Sequence, residues 1–123
     1  MISVKECKFS DIEHFSKMDT EYASFAKRKK KEIWFQAIFQ KQVVGCSCLL
    51  ILSKQRIRLS NSFVLGCFRK NGILRTMVAE REQWAIKNKF KMIDVRSWEV
   101  DYRKFGYSLK KQYVKGAWYE KNL

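Results

Sequence analysis

The sequence predicts an α/β domain in which a mixed β-sheet is flanked by helices. Apolar residues recur at threes and fours in two segments, as in amphipathic helices. Between them lie shorter segments with the alternation, or the aromatic and β-branched composition, typical of strands. With 123 residues, 46% of them hydrophobic, the chain has the size of one domain and can bury a core. We therefore expect a single domain over residues 1–123 with the element order β-α-β-β-β-α-β-α-β-β.

The first two elements are a short strand and a helix. Residues 2–7 alternate between apolar and polar side chains, which predicts the strand. Ser10 and Glu13 have the spacing of a capping box and predict that the helix begins there. A run of five basic residues, 27–31, ends this helix or forms the loop after it. The apolar face of the helix comprises Ile12, Phe15, Met18, Tyr22 and Phe25.

Three strands follow in succession. Residues 33–39 are aromatic and aliphatic, residues 40–42 form a turn, and residues 43–52 make a second strand antiparallel to the first. A third strand begins at Arg56 and ends near Leu65. Together these segments predict the centre of the sheet.

The second helix begins after Gly72 and stops at Asn88. A strand over residues 92–95 and a weakly helical segment over residues 99–105 come next, and Gly106 ends the latter. Residues 107–114 and 117–120 predict a closing hairpin. One face of the second helix carries Leu74, Met77, Val78, Trp84 and Ala85, with Arg81 as its lone charged member.

Composition sets the class of partner and the compartment. The net charge of +14 attracts polyanions such as coenzyme A, nucleic acid or acidic proteins, without choosing among them. The four cysteines lack the C-x-x-C spacing and His14 is the single histidine, so we expect reduced thiols and no metal site. The longest apolar stretch, residues 43–52, is too short to span a membrane, and the N-terminus lacks a signal-peptide core. We expect a soluble cytoplasmic protein.

The junction of residues 63–74 leads from a strand into the second helix. Backbone N–H groups at a helix N-terminus lack intrahelical partners, and with the helix dipole they attract anions. Gly72 allows close approach of a ligand to the backbone, and Arg69, Lys70 and Arg75 add positive charge. The sequence therefore predicts a phosphate-binding site at this junction.

Two motifs resemble those of the GNAT superfamily of N-acetyltransferases. Residues 69–74 (RKNGIL) fit its R/Q-x-x-G-x-G/A signature through Gly72 and depart at Leu74, which replaces a small residue. Residues 102–107 (YRKFGY) are similar to its Y-x-x-x-G-[FY] element. The order of elements agrees over nearly the whole chain, although the segment between Val95 and Tyr102 is shorter than is usual in the family. The resemblance implies a GNAT-like fold.

The resemblance also implies an acyl-CoA-dependent N-acyltransferase, with acetyl-CoA as the co-substrate and direct attack by an amine in a ternary complex. Tyr102 would be the general acid that protonates the departing thiolate. Cys67 need not be catalytic, and we expect it to be a buried structural thiol. The implied coenzyme A-binding residues are Leu65, Gly66 and Cys67 for the pantetheine arm, and Arg69, Lys70, Asn71, Gly72, Ile73 and Leu74 for the pyrophosphate.

Several alternatives stay open. The acceptor amine could belong to a small molecule, a protein or a nucleic acid, and the resemblance is compatible with a homodimer. A different function is a catalytically degenerate GNAT-like domain that binds nucleic acid or a protein through its basic surface. Trp98 and Phe105 lie among basic residues, although each singly is expected to fill core space. The candidate general bases are Glu21, Glu32, Asp94 and Glu99.

Overall fold

The computed structural model describes residues 1–17 and 31–123, and these form seven strands and two α-helices. The strands are β1 (Ile2–Cys7), β2 (Glu32–Phe39), β3 (Gln42–Ile51), β4 (Arg56–Val64), β5 (Met92–Ser97), β6 (Ser108–Gln112) and β7 (Ala117–Asn122). The helices are α1 (Phe9–Ile12) and α2 (Ile73–Lys87), and 3-10 turns cover Glu13–Lys17, Gly66–Phe68 and Tyr102–Phe105.

The sheet has the strand order β1-β2-β3-β4-β5-β7-β6. Neighbouring strands are antiparallel except β4 and β5, which are parallel because α2 connects them. The predicted mixed sheet and order of elements are confirmed. The third predicted helix is a single 3-10 turn, and Gly106 ends it with the left-handed φ of 89°. None of the described helices is long and apolar enough to cross a membrane.

The first helix begins differently from the prediction. The backbone N–H of Lys8 donates to Asp11 Oδ2 (2.9 Å), so the helix begins at Phe9 and Ser10 lies inside it. The predicted Ser10 and Glu13 capping box is therefore wrong, because Asp11 reaches back to the helix start in its place. Ile12 and Phe15 are buried as predicted. The predicted apolar residues Met18, Tyr22 and Phe25, the candidate base Glu21 and the basic residues 27–30 lie outside the described residues.

Strand β4 contains a bulge at its middle. Cys46 of β3 pairs with Phe63 and Cys48 pairs with Ser60, so Ser47 alone faces two residues of β4. One of these two, Asn61, has a φ of 51°, in the left-handed region.

The bulge changes which face of the sheet the strand's side chains occupy. Leu59 packs in the core beneath α2, whereas Phe63 packs on the side of α1, with its ring centroid 5.4 Å from that of Phe15. In a regular strand both residues would lie on the same face, because the side-chain period is two. The bulge therefore reverses the alternation of side chains along β4, so that Leu59 and Phe63 lie on opposite faces of the sheet.

Beyond the bulge, β4 and β5 separate. Their paired register runs from Arg56 with Met92 to Leu59 with Val95. After Leu59, β4 continues to Val64 and β5 continues to Ser97 without pairing to each other. The two strands open a cleft over the N-terminus of α2.

The close approach of β3 to β4 near the cleft depends on a glycine. Gly45 pairs with Val64, and a Cβ added to Gly45 would lie 2.5 Å from the carbonyl oxygen of Phe63. Because this neighbour is backbone, a Gly45→Ala substitution must push the strands apart. We expect it to lower the free energy of unfolding by about 1–3 kcal/mol in urea denaturation.

Gly66→Ala is the matched control, because no atom lies within 4 Å of an added Cβ there. We expect that variant to change the free energy of unfolding by less than about 0.5 kcal/mol. Equal stability of the two variants would contradict the tight contact between β3 and β4.

Candidate functional site

A cleft of about 1330 Å³ occupies the gap between β4 and β5. One wall is the second half of β4, and the other is the end of β5 with the loop after it. The first turn of α2 and the Tyr102–Phe105 turn complete the lining. The cleft thus joins an unpaired strand edge to a helix N-terminus.

The loop before α2 is shaped for an anion. Lys70 (φ 69°) and Gly72 (φ 79°) are both left-handed, and Gly72 caps the helix. The side-chain amide of Asn71 donates to the carbonyls of Phe68 (3.0 Å) and Arg69 (3.3 Å), which fixes the loop. A Cβ added to Gly72 would meet no atom within 4 Å, so open space lies in front of the backbone. The first N–H groups of α2 lie at this end of the cleft.

Positive charge dominates the cleft lining. Arg69 Nε donates to the carbonyl oxygen of Val64 (3.1 Å), which links the loop to the strand edge. The guanidinium of Arg75 lies 5.1 Å from the centre of the Phe105 ring. Among the described lining residues, Glu99 is the acidic one. The basic lining residues are Arg58, Arg69, Lys70, Arg75, Arg96 and Lys104.

The cleft brings together part of the predicted set of site residues. Those that line it are Arg69, Lys70, Gly72, Ile73, Leu74 and Tyr102. Those that do not are Leu65, Gly66, Cys67 and Asn71.

The predicted pantetheine-binding residues lie at the end of β4 and in the turn after it, outside the cleft lining. The N–H of Leu65 donates to the carbonyl of Val44 (2.9 Å), so it points to β3 and away from the cleft. Gly66 and Cys67 belong to a 3-10 turn that follows the strand. The expectation of a buried Cys67 thiol is wrong, because this turn carries Cys67 to the surface.

Sequence reasoning missed the strand residues that form the cleft wall. They belong to the second half of β4, where the bulge frees the edge that faces β5. The run of three polar residues in the middle of the strand was the available signal. The missed lining residues are Ser60, Asn61 and Ser62, whereas Phe63 and Val64, which also line the cleft, belong to the predicted junction of residues 63–74.

Tyr102 lies buried at the inner end of the cleft, with 5% of its surface exposed. Its ring contacts those of Phe105 and Tyr107 edge-on, at centroid distances of 5.4 and 5.7 Å. Burial raises the pKa of Tyr102, and hydrogen bonds with Ser62 and Arg81 partly oppose this rise. The phenol therefore stays protonated at neutral pH and can donate a proton.

Arg81 projects from α2 into the bulge and is fully buried. Its Nη1 donates to the carbonyls of Cys48 (3.0 Å) and Ser60 (3.3 Å), which face each other on β3 and β4 at one end of the bulge. Its Nη2 donates to Ser62 Oγ (2.8 Å), and its Nε donates to the Met77 carbonyl (3.2 Å). Arg81 therefore connects the bulge to the helix and, through Ser62, to Tyr102.

The candidate general bases differ in accessibility. Asp94 is buried and accepts from Arg56 (3.0 Å) and Arg58 (2.6 Å), so its carboxylate is already engaged. Glu32 accepts from the indole N–H of Trp34 (3.1 Å) in β2. Glu99 is the one described candidate base that lines the cleft.

The structure separates Trp98 from Phe105, although both are expected to fill core space. Phe105 is partly buried and packs against the core, as predicted. Trp98 is 74% exposed at the mouth of the cleft, so the expectation that it fills core space is wrong.

Comparison with known proteins identifies the fold. No family model and no curated protein matches the chain in sequence. In three dimensions it is similar to a GNAT family acetyltransferase from Elizabethkingia anophelis with acetyl-CoA bound (TM-score 0.77, 12% identity, 99% of this chain and 98% of that chain covered). It is also similar to PaiA N-acetyltransferase from Thermoplasma acidophilum in complex with coenzyme A (0.79, 12%, 100% and 99%).

A third similar structure is IAA acetyltransferase from Bacillus cereus (TM-score 0.80, 12% identity, 100% of both chains covered). The likeness extends over the full length of each of these proteins. The chain therefore has the GNAT-like fold that the two motifs predicted.

The role of Arg81 in the bulge can be tested by its removal. Arg81→Met would leave the Cys48 and Ser60 carbonyls and the Ser62 hydroxyl without this donor. Because each hydrogen bond from a charged donor contributes about 1.5–3 kcal/mol, we expect the free energy of unfolding to fall by at least about 3 kcal/mol. Urea denaturation measures this loss.

Lys87→Met, at the exposed end of the same helix, is the control for loss of a positive charge. We expect it to change stability by less than about 0.5 kcal/mol. An Arg81→Met variant as stable as this control would mean that the bulge does not depend on the guanidinium.

Proposed function

We propose that this 123-residue chain is a single-domain acyl-CoA-dependent N-acyltransferase that uses acetyl-CoA. The observation that carries the proposal is the separation of parallel strands β4 and β5 directly over the N-terminus of α2. This arrangement offers an unpaired strand edge and an anion site in one cleft. The similar proteins with acetyl-CoA or coenzyme A bound support the proposal.

The anion site suits the pyrophosphate of coenzyme A. Backbone N–H groups of Gly72, Ile73 and Leu74 would donate to phosphate oxygens, and the dipole of α2 adds to the attraction. Arg69 and Lys70 line the same end of the cleft and would neutralise the phosphate charge. Since Gly72 has no side chain, phosphate oxygens can approach its backbone closely.

The free edge of β4 suits the pantetheine arm. This arm contains amide groups, and an extended amide chain can hydrogen-bond to an exposed strand edge. The edge that faces the cleft includes the carbonyl of Val64, which accepts from Arg69 Nε. Arg69 would thus connect the part of the site that binds the arm with the part that binds phosphate.

The transfer itself needs a proton donor for sulfur and an acceptor for the amine proton. The amine nitrogen attacks the thioester carbon, a C–N bond forms, and the C–S bond breaks with its electron pair on sulfur. Tyr102 would donate its phenolic proton to that thiolate and regain a proton from solvent. Glu99, directly or through water, would accept the proton that the amine loses. Backbone N–H groups of β4 beyond the bulge would stabilise the oxyanion.

A second candidate function is a GNAT-fold domain that binds a polyanion without turnover. Leu74 favours this second function. Its side chain packs against the core and lines the cleft, at a signature position where the family has a small residue. Turnover of acetyl-CoA in the presence of an amine separates the two. Binding of coenzyme A without any release of free thiol would favour the second function.

The anion site can be tested at Gly72 by calorimetry with acetyl-CoA. Gly72→Ala forces a side chain into a left-handed backbone and into the space before the helix. We expect affinity to fall about tenfold, which corresponds to about 1.4 kcal/mol. Gly72→Glu should abolish binding, since it adds negative charge at the same position.

Gly66→Ala serves as the control, because Gly66 lies outside the cleft lining and has open space around it. Its affinity should match that of the unaltered protein. If the unaltered protein binds no acetyl-CoA, the proposed function fails.

The role of Tyr102 as a proton donor predicts an effect on turnover and not on binding. Tyr102→Phe should lower kcat by about a hundredfold, in line with general acid catalysis, and leave KM for acetyl-CoA within about threefold. Steady-state release of free thiol measures both constants.

Tyr107→Phe is a matched control, because Tyr107 is equally buried and bonds to Glu82 (2.8 Å) but does not line the cleft. It should lower stability without a comparable loss of kcat. Equal kcat values for the two variants would remove Tyr102 from the mechanism.

A further inference from the structure

A strip of basic and aromatic side chains crosses three strands beside the cleft. Arg96 of β5 pairs in register with Trp118 of β7, and Trp118 pairs with Lys111 of β6. Side chains that pair in register lie on the same face of a sheet, about 5 Å apart from strand to strand. The indole of Trp118 therefore lies between two cations.

Further aromatic rings extend this strip at the same end of the sheet. Tyr113 follows the last residue of β6, and the ammonium group of Lys111 lies 5.4 Å from the centre of its ring. The tip of the β6–β7 hairpin rests against the loop after β5. A Cβ on Gly116 would lie 2.7 Å from the Ser97 carbonyl oxygen and 3.3 Å from the Trp98 Cα.

Two of the aromatic rings at this end of the sheet are exposed to solvent. Trp98 is 74% exposed and Tyr113 is 38% exposed. Large exposed aromatic side chains that neighbour one another mark an interaction surface more often than isolated ones do. We refer to Arg96, Trp98, Lys111, Tyr113 and Trp118 as the aromatic–basic strip.

The acidic groups on this face do not offset the strip's charge. Asp94 and Glu120, which pair in register on β5 and β7, form ion pairs with Arg56 and Arg58. The net charge of the whole chain, +14, adds a field of the same sign. The strip therefore attracts an anionic partner.

The geometry points to the aromatic–basic strip as a binding surface for single-stranded nucleic acid. Unpaired bases stack on exposed aromatic rings, and cations placed between the rings contact the phosphates. An acidic peptide would satisfy the cations but not the rings, and a duplex keeps its bases stacked inside. The strip meets the cleft at Arg96 and Trp98, which belong to both, so a bound strand would pass the cleft mouth. This binding goes beyond acyl transfer and does not require it.

Fluorescence anisotropy with a labelled RNA of about 12 nucleotides tests the inference. We expect binding that weakens as salt rises from about 50 to about 300 mM. Trp98→Ala and Tyr113→Ala should each weaken binding by about fivefold or more, because each removes a stacking surface. Lys111→Gln should lower the salt slope by about 0.7.

Lys5→Gln is the matched control, since Lys5 is exposed on β1 at the opposite edge of the sheet and its loss changes the net charge equally. It should leave the salt slope and the affinity nearly unchanged. Tyr113→Ala and Lys111→Gln should retain acetyl-CoA affinity, because neither residue lines the cleft. Loss of RNA binding is thus distinguishable from failure of the cleft.

Three results would overturn the inference. The first is no RNA binding at the lowest salt. The second is an equal effect of Lys5→Gln and Lys111→Gln, which would indicate general attraction by net charge. The third is equally tight binding of a duplex or of polyglutamate of matched charge, which would assign the surface to another class of partner.

Discussion

The hydrogen bonds of Arg81 to the bulged strand are the interaction on which the rest of this structure depends. A fully buried guanidinium is costly to desolvate unless its donors are satisfied. A bulge likewise interrupts the ladder and leaves carbonyl groups in need of donors. Arg81 satisfies both requirements, because it donates to the carbonyls of Cys48 and Ser60, which pair across β3 and β4 at one end of the bulge. This contact stabilises the bulge, and the bulge sets which face of the sheet the side chains of β4 occupy and where β4 leaves β5. The same guanidinium also donates to the Ser62 hydroxyl, which lies beside Tyr102.

Topology fixes where the proposed anion site lies. Since β4 and β5 are parallel and α2 connects them, the helix must begin near the end of β4 and return along the sheet. Ligands of α/β sheets commonly bind where strand ends meet helix N-termini. The left-handed residues Lys70 and Gly72 make the turn between the two elements short enough to keep the N-terminus beside the strand edge. The connection from β4 to α2 thus brings the free strand edge and the positive end of the helix to the same place.

Much of this arrangement could be predicted from periodicity and glycine placement. The sequence predicts the apolar face of α2, its start after Gly72 and its end at Asn88. It also shows that Arg81 is the one charged residue on that face. The bulge could not be predicted, because one extra residue alters register without altering composition. The direction of the Leu65 amide, which donates to β3, could not be predicted either, because it depends on the register beyond the bulge. The exposure of Trp98 could not be predicted, because an aromatic residue next to a strand is as compatible with the core as with the surface.

The outer edge of the sheet has a consequence for self-association. Strand β6 presents its free edge with all five residues exposed, and Lys110 forms a bulge between Leu109 and Lys111. A free strand edge can template pairing with another chain, but adjacent lysines and an irregular ladder oppose it. Two copies that met edge to edge here would place like charges opposite one another. This edge of the sheet is therefore protected from growth by strand addition, although exposed aromatic rings lie beside it.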